Sequence, residues 1–454
     1  MKIIRSVEFD RYWNGRLRLP AAGDGVEEAV HEAVSAVIAE VRAGGDDAVR
    51  RCASRFDRSS PEKLEVSAAA LKAAWVELQS ADPELAAALE LAADHIRRFA
   101  EKQRAQCTDF EYEMSPGLFT GQRVIPVRRA AIYVPAGRFP LVSTVLMGVI
   151  PAIVAGAAEV LVASAPRENG LPDRRILAAA YLAGGASPAR LPRVFAVGGA
   201  QAIAALALGT ETIPRADIIA GPGNKYVAAA KRLLSGEVGI DFVAGPTDVL
   251  IIASETAPGA FFADPIAADM LAQAEHDPDA RARVLVPSRQ SADSIAAALE
   301  KRLALLAAAE TVNGAIAAAS LEAGGLIIMY ETKEEAIRIA NIIAPEHLEL
   351  QVQDPEEWIG GLKNYGSLFI GELAAEVLGD YSAGINHTLP TSGSARFSGG
   401  LSVRHFLKIV TSLRCVPGRG FEEARAAAET IAQAEGLMGH RESAVSRRPR
   451  GVPS

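Results

Sequence analysis

The sequence predicts an α/β fold of the doubly wound type, with parallel sheets covered on both faces. Three observations predict it. Short apolar runs, "AAIYV", "EVLVASA", "RVFAVG", "ADIIAG" and "DVLIIAS", recur after Val124, each closed by a turn signal. Ala-rich stretches at helical spacing separate most of them, and strand alternating with helix calls for crossover connections and parallel pairing. A further pair, "ARVLVPS" and "LIIMYE", follows the helical segment around Gln273 and suggests a second sheet.

From Gly25 to Gln106 the pattern is helical, and "VEEAVHEAVSAVIAEVRAGGDD" is expected to stop at Gly44–Gly45. "LVSTVLMGVIPAIVAGAA", from Leu141, is long enough to suggest a membrane span. Pro151 interrupts it and the β-branched "VLVASAP" follows, so it reads as a buried helix feeding a core strand. After Ala344 the periodicity loosens. Beyond Phe406 it becomes helical, ending in the basic tail "SRRPRGVPS".

Bulk properties narrow the function. The 454 residues suffice for two or three domains, and 49% apolar with 22% charged residues is a globular balance. A net charge of -8 argues against a nucleic-acid footprint, which needs a basic patch. Cys52, Cys107 and Cys415 are scattered, so neither a disulfide framework nor a cysteine zinc cluster is expected. With no signal peptide visible in "MKIIRSVEFD", the expectation is a cytoplasmic protein.

Three turns then draw attention. "AGPGN" lies between the strand "ADII" and the helix "KYVAAAKRLL"; "YVPAGRFP" follows Tyr133; "VGGAQ" places Gln201 at the head of a helix. Each has a bland reading as a tight strand-to-helix turn. Gathered at the carboxyl edge of one parallel sheet, they would form a nucleotide site.

Other segments carry acid–base or metal-binding side chains. Pro345 in "IIAPEHLELQV" suits a first helical turn, which would put Glu346 and His347 near a helix N-terminus as two diverging proton acceptors. "LAQAEHDPDA" sets Gln273 and His276 three apart, on one face if the segment is helical: half a metal site, or the polar side of a surface helix. "GDYSAGINHTLPTSGSARFSGGLS" is a long aperiodic loop with Asp380 as a hard oxygen donor and His387 as a ligand or loop anchor. "AQAEGLMGHRES" places Glu435 and His440 five apart.

Taken together, the segments "VPAGRFPLVSTVLM", "GGAQAIAALALGT", "AGPGNKYV", "AGPTDVL", "QAEHDPDA", "PEHLEL", "GDYSAGINHTLPTSGSARF" and "EGLMGH" resemble the histidinol dehydrogenase family from Val124 to His440. The resemblance implies two incomplete Rossmann-like doubly wound domains, a small domain, and a C-terminal helical arm that crosses to the partner of a homodimer. The expected domains are 27–130 with 248–340, 131–247 with the NAD site, 1–26 with 341–398, and the arm 399–454. The implied activity is oxidation of L-histidinol to L-histidine through histidinal, with two NAD and one zinc ion per site. Gln273, His276, Asp380 and His440 would ligate zinc. His347 would take the alcohol proton, and Glu346 would activate water for aldehyde oxidation. Thr247, Glu435, His347 and the zinc ligands would contact substrate; Tyr133, Gln201 and Asn224 would hold NAD. Two departures stand out, Asp248 where glutamate is usual and His405 where an acid is expected. They leave open a paralogue acting on another small polar alcohol, such as a sulfonated diol. A zinc hydrolase without redox chemistry is the alternative from another class.

Overall fold

The computed structural model describes residues 1–16, 25–136, 140–185, 188–243, 245–255, 262–308 and 312–448. Part of the "YVPAGRFP" turn, Gly137 to Phe139, and the end of the basic tail lie outside the described residues.

Along the chain come β1 (Lys2–Arg5), α1 (Ser6–Arg16), α2 (Gly25–Phe56), β2 (Glu65–Val66), α3 (Ala68–Ala81) and α4 (Pro83–Ala105). A hairpin, β3 (Phe110–Ser115) and β4 (Leu118–Pro126), precedes β5 (Arg129–Tyr133), α5 (Val142–Ala155), β6 (Glu159–Ser164), α6 (Arg174–Gly184) and β7 (Arg193–Ala196). Then follow α7 (Gly199–Leu208), β8 (Ile218–Ala220), α8 (Lys225–Leu234), β9 (Gly239–Ile240), β10 (Asp248–Ala253), α9 (Ala263–Ala274) and β11 (Arg281–Val286). The last third holds α10 (Arg289–Ala308), α11 (Val312–Gly324), β12 (Leu326–Met329), α12 (Lys333–Ile343), β13 (His347–Gln351), α13 (Glu356–Ile359) and β14 (Ser367–Ile370). α14 (Glu376–Tyr381), β15 (Leu407–Cys415), α15 (Arg419–Ala434) and α16 (Met438–Val445) complete it.

Two six-stranded sheets result, ordered β2-β7-β6-β5-β8-β9 and β1-β12-β11-β10-β13-β14. We call them the first and second sheet. Every pairing in both is parallel except β2 with β7. Alternation along each strand feeds two cores: Ala130 and Ile132 of β5 join one, Ala131 and Tyr133 the other. The first sheet is covered by α3–α6 on one face and by α2, α7 and α8 on the other. The second has α12 on one face and α9, α10 and α11 on the other. This is the predicted doubly wound α/β architecture.

Local expectations fare unevenly. α2 kinks at Gly45, whose φ of 49° and ψ of -134° no helix accommodates, matching the anticipated stop. The Leu141 segment becomes α5 and feeds β6; Pro151 sits inside the helix without ending it. No described helix is long and apolar enough to cross a membrane.

Three expectations need correction. "EHLELQ" is not helical: it forms β13, hydrogen-bonded between β10 and β14. Its residues are buried on both faces, so the polar positions that suggested a helix turn are interior groups. Beyond Phe406 the chain first makes β15, antiparallel to β4 over the length of both, before turning helical. The domain grouping also differs. β1, β13 and β14, expected in a small separate domain, pair into the second sheet, while α2, α3 and α4 pack on the first sheet rather than with 248–340. Parallel strands need long crossovers, so sheet membership here does not follow continuity of the chain.

Candidate active site

The two sheets present opposite edges to the site. On the first, Tyr133 ends β5, Gly198 caps α7 after β7, and Asn224 caps α8 after β8, so all three turns lie at the carboxyl edge. On the second, Thr247 precedes β10 and Glu346 precedes β13, which places them at the amino edge. α9, after β10, runs back along the sheet and ends beside them with Gln273 in its last turn.

The carboxyl-edge turns are held by their own side chains. Asn224 Oδ1 accepts the N–H groups of Tyr226 (3.0 Å) and Val227 (3.1 Å), capping α8. Gly221, at φ 111°, lies so close to Tyr133 that a Cβ would run into its carbonyl oxygen. The buried Lys231–Asp241 ion pair secures this turn: Lys231 Nζ donates to the Gly221 carbonyl at 3.0 Å, and Asp241 Oδ2 accepts the Gly221 N–H at 2.8 Å. Tyr133 is buried, its hydroxyl pushed up to about 12 by that burial, and its oxygen accepts the Gly199 N–H at 3.1 Å. Gln201 is buried at the head of α7.

At the amino edge a polar cluster is shut inside the protein. Glu346 Oε2 accepts the Thr247 hydroxyl (2.5 Å) and the Asp248 N–H (3.2 Å), and the Glu346 N–H returns to Asp248 Oδ1 (3.2 Å). Arg283 neutralises Asp248 at 3.0 Å. Burial raises the Glu346 carboxyl to about 7, against the pull of His347 and the Thr247 hydroxyl. Gln273, fully buried, satisfies both ends of its carboxamide by donating to Glu376 Oε1 (2.5 Å) and accepting from Thr247 Oγ1 (2.7 Å) and the Asp248 N–H (3.1 Å). One Thr247 proton thus has two acceptors; a protonated Glu346 releases it to Gln273.

His347 stands between Glu376 (Nδ1 to Oε1, 3.5 Å) and Asp380 (Nε2 to Oδ1, 3.5 Å), and neither ring nitrogen makes a hydrogen bond. Burial alone would lower its pKa, but Glu376, Glu346 and Asp380 outweigh it and hold the ring well above the ordinary histidine range. Burial, joined by neighbouring carboxylates, lifts Glu376 well above the carboxylate range; Asp380 is drawn below it, since His347 overcomes its burial. His347, Glu376 and Asp380 offer ligand atoms within 4.8 Å of one another, the one such His/Cys/Asp/Glu group among the described residues. Two carboxyl groups flanking an imidazole whose ring nitrogens make no hydrogen bond form a donor set suited to a cation.

The structure therefore joins Thr247, Gln273, Glu346, His347 and Asp380. His276 lies just past the end of α9 rather than on it, exposed, with Nδ1 held by the Ala272 carbonyl at 3.0 Å. That contact leaves Nε2 as the ring nitrogen turned away from the helix end. Glu435, just past α15, and His440, on α16, are exposed; the two helices pack on each other and α15 packs on β3, away from the cluster. His387 is a loop anchor: its Nε2 meets the Thr144 hydroxyl at 3.2 Å, and its Nδ1 meets the Asp380 carbonyl at 3.1 Å. His405 closes a capping box with Ser402.

Sequence reasoning missed Glu376, although it stands four residues before Asp380 and therefore on the same helix face. It also missed the buried Glu349, whose Oε1 accepts the Glu376 N–H at 2.9 Å. A cavity of about 1390 Å³ runs from the carboxyl edge of the first sheet, at Tyr133, Gln201 and Asn224, to His276 and Tyr381.

Two doubly wound sheets, with a cavity at the carboxyl edge of one and a buried cluster of titratable side chains at the amino edge of the other, define an α/β enzyme; similarity to known proteins makes it an oxidoreductase acting on a CH–OH group. The family model described as histidinol dehydrogenase matches residues 22–448. Histidinol dehydrogenase of Methylococcus capsulatus is 42% identical over 94% of both chains, and that of Thermus thermophilus 43% identical over 95% of this chain and 98% of its own. The crystal structure of histidinol dehydrogenase from Elizabethkingia anophelis superposes with a TM-score of 0.87 at 32% identity, covering 98% of this chain and 97% of that one. The chain belongs to the histidinol dehydrogenase family, which sets the hydrolase alternative aside.

Proposed function

We propose that this protein oxidises L-histidinol to L-histidine through histidinal, using two molecules of NAD and one zinc ion per site. The observation that carries the reading is the buried Glu346–His347 pair, set with Gln273 and Asp380, together with a cavity that runs from Tyr133, Gln201 and Asn224 to His276 and Tyr381, the last of these next in sequence to Asp380.

The residues fit both groups. With its carboxamide turned over so that the oxygen faces Glu376, Gln273 joins His276 and Asp380 in offering an amide oxygen, an imidazole nitrogen and a carboxylate, a set zinc accepts. His440 of the partner subunit would complete it, with Glu435 beside the substrate amine. The exposed apolar side chains of β3 and of the arm packed beside it, including Phe110, Tyr112, Ile409 and Leu413, support a partner covering this surface. Bound there, zinc supplies orientation by fixing the amine and imidazole of the substrate. The dinucleotide supplies the hydride acceptor.

His347 takes the alcohol proton once a cation bound beside it offsets the pull of Glu376 and Asp380, which otherwise keeps its ring protonated. Glu346, raised to about 7, shuttles a proton near neutrality and deprotonates the water that adds to the aldehyde. Thr247 and the Asp248 N–H hold it in place. Burial keeps the aldehyde from solvent between the two oxidations.

Zinc-loaded protein should release two NADH per histidine formed from L-histidinol, read by absorbance with product quantified in parallel. Inactivity with histidinol and turnover of another small polar alcohol would establish the paralogue reading instead.

A further inference from the structure

The turn after β7 carries a charge that the reaction does not use. Asp57, immediately after α2, accepts the Gly198 N–H (3.3 Å) and Gln201 Nε2 (3.2 Å) on a single oxygen, Oδ2. The next N–H, of Gly199, goes to the Tyr133 hydroxyl. In a phosphate-binding turn these N–H groups would face the anion. Here they are engaged, and one acceptor is itself a carboxylate. A phosphate arriving at this turn would meet negative charge in place of free donors.

Among the described residues, no lysine or arginine pairs with Asp57. The influences on the Asp57 carboxyl are burial, which raises it, and the Gly198 and Gln201 bonds, which lower it. Arg58, next in sequence, is turned to Glu168 at 3.3 Å on the surface. Asp57 nevertheless lines the same cavity as Tyr133, Gln201 and Asn224.

The placement of helices decides which half of a dinucleotide would lie here. α4 and α5 hold the catalytic loop: His95 Nδ1 meets the Ser382 carbonyl at 2.8 Å, and Thr144 meets His387. Both helices cover one face of the first sheet, whereas α2, which ends at Phe56 just before Asp57, covers the other. The nicotinamide must reach the catalytic end, so the adenosine half extends across the sheet edge toward α2.

We propose that Asp57 accepts the hydroxyls of the adenosine ribose and so selects a dinucleotide with a free 2′-hydroxyl over its 2′-phosphorylated counterpart. A carboxylate accepts from a diol, while a 2′-phosphate brings no donor and adds a like charge. The inference rests on the dinucleotide reading above and deepens it.

The test compares full-length wild type with Asp57→Asn and Asp57→Ser, each checked for an intact melting transition. Two readouts are taken: kcat/KM with NAD and NADP, and calorimetric binding of ADP-ribose and 2′-phospho-ADP-ribose, which needs no histidinol. Wild type should prefer the unphosphorylated member of each pair. Asp57→Asn should raise KM for NAD more than it lowers kcat, and shrink the preference by about tenfold or more, the loss of one hydrogen bond to a charged group. Asp57→Ser should shrink it in the same direction. An unchanged preference in both folded variants, with NAD still reduced, overturns the role of Asp57 alone. Wild type that binds ADP-ribose in an Asp57-dependent way but reduces no dinucleotide supports Asp57 and removes the reaction reading. Binding of neither probe overturns both.

Discussion

The two sheets share a winding and differ in which edge they offer. At the carboxyl edge of the first sheet stand the N-termini of α7 and α8, where the helix dipole favours negative charge, which at α7 Asp57 already supplies. At the amino edge of the second stands the C-terminus of α9, whose carbonyls and dipole favour positive charge, as the Ala272 carbonyl on His276 illustrates. The first edge is built from turns and needs few charged groups. The second concentrates Glu346, His347, Glu376 and Asp380 with almost no solvent. The contrast suits one end of the cavity to an anionic cofactor and the other to a cation and a cationic substrate.

Perturbing the second edge should cost most. His347→Asn should lower kcat for NADH formation from histidinol by about 10³-fold, the scale of a lost general base. Glu346→Gln should hurt oxidation of added aldehyde more than the alcohol step, and equal losses would break the assigned division of labour.

The arm sharpens the comparison, because it would bring a ligand that neither sheet supplies. His440→Ala alone should be inactive. Mixed and refolded with His347→Asn protein, it should regain roughly a quarter of wild-type activity, since half the dimers would carry one intact site. Activity of such mixtures no higher than the parents would place His440 outside the partner's site.

Stability against pH should also separate the edges. Glu346, raised to about 7, and Glu349, raised to about 8, chiefly by burial, favour the protonated folded state. Each contributes stability that is full below its unfolded value of about 4.5 and lost as pH rises through the folded value. His347, also raised, acts in the same sense above its ordinary value of 6.5. The melting temperature of metal-free protein should therefore fall between about pH 5 and pH 8. Glu349→Gln should flatten that fall, and a profile unchanged by the substitution would count against the buried acid.

The smallest effect belongs to the first edge. Asn224→Ala removes the cap on α8 and should cost about 1 kcal/mol in a melting experiment, while raising KM for NAD.

Much of this was legible in the sequence, and the gaps have physical causes. The strand–turn–helix rhythm from "AAIYV" to "DVLIIAS" announced the first sheet, because buried parallel strands are short apolar runs. "PEHLELQ" misled because its Glu and His, polar in the sequence, are interior in the fold; polarity signals exposure only where no buried network satisfies it. Gln273, Glu346, His347 and Asp380 stand out in their own segments, but their shared site came only through resemblance, since their meeting depends on crossovers that join residues up to 107 positions apart, a separation no local pattern encodes. Glu376 was legible from its spacing to Asp380 and was overlooked. Asp57 reaches Gln201 across 144 positions, so no motif announces it.

Calorimetric titration of zinc and of NAD into Asp380→Asn and Asn224→Ala proteins tests the division of labour most directly. Zinc binding should weaken strongly in Asp380→Asn while NAD still binds, and NAD binding should weaken in Asn224→Ala while zinc affinity stays at the wild-type level. If Asp380→Asn protein, still folded, binds zinc as tightly as wild type, the amino edge of the second sheet is not the cation site and the account fails.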